Sequence, residues 1–373
     1  MGSESRNRYL LKNTLIFTLG NIGSRMISFF LIPLYTNVLT TSQYGTVDLI
    51  TTISTVAGPM LTLNIAESVM RFGLDKDADK EKNTQCGSIV LLIAMIIGLV
   101  LIPICRCITE VSDYAMYVYF YVISLSASQL FLCDLRGKEL LLKYSLGNIL
   151  QTLMIAILNI TFLLVFKMET GGYLLAYIIA NFIVAIYAII AGKGYKAFSF
   201  HNIDRCKLKE MIRYSVVLIP NTFMWWIMNS SDRVMVTYMI GAAANGIYAV
   251  SYKLPTLVST LTGIFNQAWS YSAIREEGTS DETEYNNKMF KTLSAIAFMM
   301  GIGLLLLTKP FLGVYVADSY YDAWKYTPFL IIGCVYLTLG TFMATSYTVH
   351  KDSFGYLFSG SFGAAFNLSL IHI

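Results

Sequence analysis

Long apolar blocks dominate this chain, and each is about as long as a membrane-spanning helix must be. A helix needs about 20 mostly apolar residues to cross the hydrocarbon core of a bilayer. Eleven such blocks follow one another with mostly short connections. They cover residues 13–36, 44–69, 86–105, 115–133, 144–166, 173–192, 214–240, 246–271, 289–307, 328–348 and 354–373. Because the blocks are continuous, they favour helices over a β-barrel, and the sequence predicts an all-α integral membrane protein with eleven helices.

The composition of the chain supports this interpretation. Charged residues make up 13% of the 373 residues, and the apolar set makes up 55%. A soluble domain carries about a quarter charged residues. So little charge argues against a soluble enzyme, and so large an apolar fraction excludes a disordered chain.

Lysine and arginine are distributed unevenly between alternate loops. The loops on the side of the N-terminus hold 20 of the 27 basic residues, the opposite loops hold 4, and 3 lie inside helices. Basic loops remain on the cytoplasmic side of a membrane. The sequence therefore predicts a multi-pass protein with a cytoplasmic N-terminus.

The two ends of the chain give two further expectations. The first apolar block is too long for a signal peptide and lacks a small-residue cleavage site, so we expect it to be retained as a helix. The last block ends at 367–373 without a polar tail. We therefore expect a C-terminal truncation, with a native gene that continues into at least one further helix.

The longest basic loop, at 193–213, divides the blocks into two groups. The prediction is an N-terminal lobe at 1–192 with helices one to six, a basic cytoplasmic linker at 193–213, and an incomplete C-terminal lobe at 214–373 with helices seven to eleven. An offset of 201 positions equates Lys12 with Arg213 and Gly45 with Gly246, each at a helix start. Parallel repeats are common in transporters, so we expect the two lobes to be related.

Short motifs occur in both lobes. The first lobe has KNTLIF at 12–17, PLYT at 33–36 and YGTVDL at 44–49; the second has NSSDR at 229–233, GIY at 246–248, SYK at 251–253 and NQAW at 266–269. In order and spacing these motifs resemble the Wzx-type O-antigen and polysaccharide flippases of the MOP exporter superfamily.

The resemblance implies a MATE-like fold of two pseudo-repeated six-helix lobes around a central cavity. It implies a secondary transporter of the bacterial inner membrane, which flips undecaprenyl-pyrophosphate-linked oligosaccharide repeat units for O-antigen, capsule or exopolysaccharide synthesis. The implied partners are that lipid-linked oligosaccharide and membrane lipids, with a polysaccharide polymerase and other assembly proteins as further candidates and no nucleic acid. We expect no cofactor beyond a proton or sodium gradient.

The pattern of reactive residues indicates transport rather than catalysis. There is no GxxxxGK[ST] phosphate-binding loop, so we expect no ATP hydrolysis. The six cysteines and three histidines form no cluster, so neither a metal site nor a disulfide framework is expected. We find no constellation of nucleophile, acid and base, and we predict that the chain is not an enzyme.

Ionisable residues inside membrane helices are costly and are therefore candidate functional residues. Arg25 lies about 13 residues into the first helix, roughly 20 Å deep at 1.5 Å per residue. A guanidinium offers a bidentate fork to phosphate oxygens, so Arg25 is the first candidate for binding the diphosphate. The alternative is a hydrogen bond between helices. Trp226, the repeat partner of Arg25, is the candidate for an aromatic wall in the second lobe.

Asp232, Arg233 and Lys253 form a second candidate group. With a turn near Ala243–Ala244, Arg233 and Lys253 would lie at the same depth, and Asp232 could pair with either base. The group would contact the head group or sugar of the substrate, or it would be an ion pair that fixes the hairpin.

Two carboxylates near the ends of one helix complete the candidates. Asp48 lies close to the outer surface, and Glu67 close to the inner one. Either residue could be an ordinary interfacial side chain. Asp48 is the candidate for a proton or sodium site that couples transport to the gradient, because a carboxylate in apolar surroundings has a raised pKa.

Other functions remain open at this stage. A MATE-like multidrug exporter or a lipid II exporter would have the same architecture. A membrane-embedded glycosyltransferase or polymerase would need catalytic residues on an outer loop, and Asp318 and Asp322 in the loop at 308–327 are the candidates there. A scaffolding role is a further alternative.

We predict that Arg25→Ala strongly reduces transport while membrane insertion and abundance stay intact. A hydrogen bond to a charged group contributes roughly 1.5–3 kcal/mol, which corresponds to a loss of about 10- to 150-fold in binding. Arg25→Lys should keep part of the activity, because a point charge still attracts phosphate. Transport rate per folded molecule and thermal stability are measured on each variant, and an Arg25→Ala protein that is destabilised but fully active would contradict the prediction.

Overall fold

The computed structural model describes residues 27–75, 77–107, 111–198, 204–276, 282–350 and 352–372. Within these ranges the chain is helical and contains no strand, which confirms the predicted all-α fold. The α-helices are α1 Ile32–Val38, α2 Thr41–Leu61, α3 Ile65–Gly73, α4 Lys80–Arg106, α5 Ala115–Gly137, α6 Leu141–Ile160, α7 Glu169–Ala191, α8 Arg205–Met239, α9 Ala242–Ser251, α10 Lys253–Glu276, α11 Glu282–Tyr315, α12 Thr327–Val349 and α13 Ser353–His372.

Short 3₁₀ and π segments extend or connect these helices. Ser112–Tyr114 leads into α5, Thr161–Val165 continues α6 as a π-helix, and Asp318–Lys325 precedes α12. Before α4, the Asp79 carboxylate accepts a hydrogen bond from the Lys82 N–H at 3.1 Å. That hydrogen bond caps the helix and lowers the pKa of Asp79.

Six helical segments among the described residues are long and apolar enough to cross a membrane. They are Lys80–Arg106, Ser112–Gly137, Leu141–Val165, Glu169–Ala191, Glu282–Tyr315 and Thr327–Tyr347. Together α2 and α3, which meet at an angle of 61°, are a seventh candidate: a broken span or a re-entrant loop. These spans confirm a multi-pass membrane protein. Of the first predicted block, 13–36, residues 13–26 lie outside the described residues.

Two predicted spans are broken rather than continuous. The block at 44–69 breaks between α2 and α3, where Leu63 and Asn64 have positive φ angles of 51° and 55°. The block at 246–271 breaks at Tyr252, between α9 and α10. Pro255 has no N–H to pair with the Ser251 carbonyl four residues earlier, and the Thr327 hydroxyl donates to that carbonyl instead, at 3.2 Å.

The described residues form two compact units. The first consists of residues 27–34 and Thr46–Trp226, and the second of Tyr35–Gly45 and the described residues from Ile227 onward. The boundary at Trp226 falls inside α8. The predicted lobe boundaries at 192 and 214 differ from this division and stay a prediction.

The core of the first unit is an apolar cluster where α3, α4, α5, α7 and α8 pack together. Its fully buried members include Val69, Cys86, Leu130, Leu135, Ala188 and Met211. Small residues let these helices approach closely, as membrane helices commonly do. A Cβ added to Gly73 would lie 2.9 Å from the Gly137 Cα.

A buried carboxylate ties three elements of the first unit together. Asp134 is 3% exposed and accepts from the Thr84 hydroxyl at 2.5 Å and from the Lys138 ammonium at 2.7 Å. The same ammonium donates to the Gly192 carbonyl at 2.9 Å. Since the charge of Asp134 is both paired and hydrogen-bonded, its burial among helices is tolerated.

The second unit contains a close crossing between the starts of α2 and α9. A Cβ on Gly45 would overlap the Ala242 carbonyl oxygen and would lie 2.8 Å from the Gly246 nitrogen. Reciprocally, a Cβ on Gly246 would overlap the Thr41 carbonyl oxygen. The offset of 201 residues converts each of these contacts into the other, as a two-fold relation between two hairpins requires.

Side chains reinforce this crossing. The Asn245 amide is fully buried and donates to the Gly45 carbonyl at 2.9 Å. The Tyr320 hydroxyl donates to the Leu39 carbonyl at 3.0 Å, and its ring meets Tyr44 edge-on at 6.1 Å. The segment Tyr35–Gly45 is therefore fixed within the second unit although it is distant in sequence.

The turn between α8 and α9 differs from the sequence prediction. It lies at Ile240–Gly241, a few residues before the expected position at Ala243–Ala244. Gly241 has φ 119°, which is accessible to glycine and strained for other residues. The glycine therefore sets the end of α8.

We predict that Gly45→Ala destabilises the protein by at least the roughly 1–3 kcal/mol typical of overpacking, because the backbone atoms it meets cannot move aside. Gly303→Ala in α11 is the matched control, since a Cβ there meets no described atom within 4 Å. Thermal unfolding of the purified proteins in detergent measures both changes. Equal unfolding temperatures for the two variants would contradict a contact at Gly45.

Candidate functional site

The first unit contains an open cavity of about 780 Å³ between α2, α3, α5, α6 and α8. This volume is within the range of about 300–1,000 Å³ found for small-molecule sites. We call it the amide cavity, because side-chain amides are the most frequent polar groups in its lining. Its polar lining residues are Asn64, Glu67, Ser128, Gln129, Tyr144, Asn148, Gln151, Tyr214, Asn221 and Thr222.

The break between α2 and α3 shapes one side of the amide cavity. Asn64 adopts the left-handed conformation, which asparagine tolerates better than most residues. Its N–H donates to the Pro59 carbonyl at 2.6 Å and closes the end of α2. Its side-chain amide lies 3.4 Å from the Thr222 hydroxyl in α8. Broken helices line binding sites in many transporters, since their backbone is accessible to a ligand.

Some of the lining amides are held in place, and others are available. Gln151 donates to the Asn181 side chain at 2.6 Å, which fixes α6 against α7. Among the described residues, the side chains of Gln129, Asn148 and Asn221 make no hydrogen bond to protein. Each of these amides offers one carbonyl acceptor and two N–H donors. They can therefore bind a ligand that both donates and accepts.

The cavity also offers two aromatic rings. Tyr144 lies under the Arg136 guanidinium, 5.5 Å from the ring centroid. Tyr214 meets Phe72 edge-on at 5.7 Å. These neighbours hold the rings in position, and each ring combines an apolar face with a polar hydroxyl.

Glu67 is the one charged side chain among the residues described as lining the amide cavity. It lies in the first turn of α3, directly after the helix break, and is half-buried. Glu67 therefore lies in the wall of the cavity, and its position relative to the membrane interface stays a prediction.

Two of the predicted site residues, Asp48 and Trp226, lie in the first unit, and neither lines the amide cavity. Arg25 is outside the described residues. Asp48 in α2 is 7% exposed and does not line the cavity. The Trp226 indole donates to the Thr52 carbonyl in α2 at 3.0 Å and stacks on Phe223 at 6.1 Å. Trp226 thus links α8 to α2.

The second unit brings the predicted charged group together with two tyrosines. The Tyr248 hydroxyl in α9 donates to the Asp232 carboxylate in α8. The Arg233 guanidinium lies 5.4 Å from the ring centroid of Tyr252. Lys253 follows at the start of α10. The hydrogen bond from Tyr248 to Asp232 joins α8 and α9. Both predicted roles of this group, as a substrate contact and as an ion pair that fixes the hairpin, stay predictions.

Sequence reasoning missed the amides because it considered only ionisable and aromatic residues within the apolar blocks. A usable signal was present. Asn148 and Gln151 are three residues apart in an otherwise apolar block, and this spacing puts them on one helix face. Gln129 and Asn221 interrupt two further blocks.

We also located the outer-loop aspartates and searched the described part of the chain for clusters of metal-binding residues. Asp322 pairs with Lys325 at 2.8 Å on the surface. No group of three or more His, Cys, Asp or Glu among the described residues could hold a metal ion.

Comparison with known proteins identifies the sequence family and the fold. Residues 10–271 match the family described as polysaccharide biosynthesis protein. No curated protein sequence matches the chain significantly. The family match confirms the resemblance predicted from the motifs.

Solved structures of transporters share the fold of the chain. A mutant of the MATE transporter VcmN from Vibrio cholerae is 14% identical, with a TM-score of 0.60 over 96% of this chain and 87% of that one. A MATE protein in complex with MaL6 is 13% identical, with a TM-score of 0.61 over 95% and 85%. A MOP superfamily transporter from Pyrococcus furiosus is 12% identical, with a TM-score of 0.53 over 97% and 95%. At these identities the likeness establishes the fold alone.

We predict that Tyr248→Phe lowers stability by about 1.5–3 kcal/mol, because Asp232 loses a hydrogen bond to its charge. Tyr238→Phe is the matched control, since Tyr238 is 87% exposed on the same helix as Asp232. Thermal unfolding in detergent reports both effects. The assignment would be wrong if the two substitutions cost the same.

Proposed function

The chain belongs to the polysaccharide biosynthesis protein family, and from this premise we propose that it flips undecaprenyl-pyrophosphate-linked oligosaccharide repeat units. The movement runs from the cytoplasmic to the outer leaflet of a bacterial plasma membrane. It supplies the synthesis of a surface polysaccharide such as O-antigen, capsule or exopolysaccharide.

The amide cavity is the observation that carries this proposal. A lipid-linked oligosaccharide has a polyprenyl tail that remains in lipid and a polar head that the hydrocarbon core excludes. A protein lowers the barrier by offering the head a polar cavity at membrane depth. The cavity offers available amides beside two tyrosine rings, and two of the helices that line it, α5 and α6, are long and apolar enough to span a membrane.

The diphosphate needs cationic side chains, and the amide cavity has none among its described lining residues. We assign this role to Arg25, with Arg233 and Lys253 as the contacts of the second unit. In this proposal Asp232, which accepts a hydrogen bond from Tyr248, orients Arg233 and Lys253. Trp226 supplies an aromatic contact to the substrate.

The energy for net movement comes from an ion gradient in this proposal. Asp48 is the coupling site in this proposal, because it is a carboxylate that lies buried in α2, with 7% of its surface exposed. The N-terminus lies in the cytoplasm, as the basic loops indicate. A polysaccharide polymerase and other assembly proteins receive the flipped substrate.

The test is a flipping assay in cells that lack their own flippase but make the lipid-linked oligosaccharide. Expression of the chain should make the oligosaccharide accessible to an impermeant lectin on the outer face, and collapse of the ion gradient should stop this. Membranes without the chain are the control. Inserted and stable protein that leaves the oligosaccharide inaccessible would refute the proposal, and efflux of a cationic dye instead would favour a multidrug exporter.

A further inference from the structure

We propose that the amide cavity selects the sugar that the protein carries, and that it takes an uncharged or amino-bearing sugar and rejects an acidic one. The inference rests on the proposed function, since it names the class of glycan for that transport. It concerns the first unit alone and does not assign the diphosphate.

Hydrogen-bond capacity is the first step of the argument. Gln129, Asn148 and Asn221 each present both donors and an acceptor to the cavity, and within the described residues none is paired with protein. A sugar hydroxyl or acetamido group also donates and accepts, so it can satisfy both ends of an amide. A carboxylate or phosphate only accepts, and it would leave the amide oxygens without a donor.

Charge is the second step. Glu67 is the one carboxylate in the wall, and no lysine or arginine accompanies it among the described lining residues. Arg136 is the cation beside this wall, and its guanidinium stacks on Tyr144 without lining the cavity. By Coulomb's law at an effective dielectric of about 20, an acidic group about 6 Å from Glu67 should bind roughly 100-fold more weakly. An ammonium group at the same place should bind more tightly, because the Glu67 carboxylate attracts it.

Shape and rigidity are the third step. Tyr144 and Tyr214 offer apolar faces for the carbon face of a pyranose ring, and each ring is held by a neighbour. The walls are fixed by the bond from Gln151 to Asn181 and by the bond from Asn64 to Thr222. Because the walls of the cavity are already ordered before a ligand binds, binding costs little conformational entropy of the protein.

The experiment measures binding of three methyl glycosides to the purified chain in nanodiscs, by saturation-transfer difference NMR. The probes are those of N-acetylglucosamine, glucosamine and glucuronic acid. We expect the first two to bind, and the third to bind roughly 100-fold more weakly. This comparison needs no variant, so it holds even where a substitution impairs folding.

Two substitutions assign the effect to the cavity. Glu67→Gln should strengthen binding of the glucuronide and leave the N-acetylglucosaminide unchanged. Asn148→Ala should weaken the N-acetylglucosaminide about 5-fold, the contribution of one ordinary hydrogen bond. Glu284→Gln, on an exposed turn of α11, and Leu146→Ala, 56% exposed on α6, are the matched controls and should change neither.

The outcomes separate this inference from the proposed function. Equal or tighter binding of the glucuronide, absence of binding by all three probes, or unchanged discrimination in a folded Glu67→Gln protein would overturn the inference. If the flipping assay succeeds while discrimination is absent, the inference alone fails. If selective binding is found without flipping, the proposed function alone fails.

Discussion

A backbone N–H or carbonyl inside a bilayer has no water to pair with, and this constraint governs the structure. It makes the spanning segments helical, and it permits a break only where other groups supply the missing hydrogen bonds. At the first break the Asn64 N–H pairs with the Pro59 carbonyl, and at the second the Thr327 hydroxyl pairs with the Ser251 carbonyl. The first of these breaks then opens the wall of the amide cavity.

Small and polar residues have several roles in the two units. In the first unit, glycines and buried serines bring helices close, and the remaining space between them is lined with amides. Ser68, for example, donates to the Met211 carbonyl at 2.6 Å. In the second unit, polar side chains also link helices, as Tyr248 links α9 to Asp232 in α8. The proposed sugar site lies in the first unit, where three amides without a protein partner among the described residues line the cavity.

The sequence predicts the helical class, the positions of most spans and the family, because these depend on long apolar runs and on local motifs. It also predicts the equivalence of Gly45 and Gly246, which the structure brings into reciprocal contact. It does not predict the break at Leu63, since a positive φ at leucine is imposed by tertiary packing. The partnership of Tyr248 with Asp232 depends on the exact turn at Gly241, and a shift of two residues there moves a side chain to another face. The sequence does not predict the amide cavity, because the position of an amide in the sequence does not show whether its side chain is buried or hydrogen-bonded.

The crossing of α2 and α9 is symmetric in its backbone and asymmetric in its side chains. Asn245 and Tyr44 occupy equivalent positions, yet Asn245 reaches across to a carbonyl while Tyr44 stacks on Tyr35 at 6.1 Å. At this crossing the two hairpins are therefore complementary and not identical. A duplicated first hairpin would present two rings and no amide at the junction, so one hairpin cannot replace the other there.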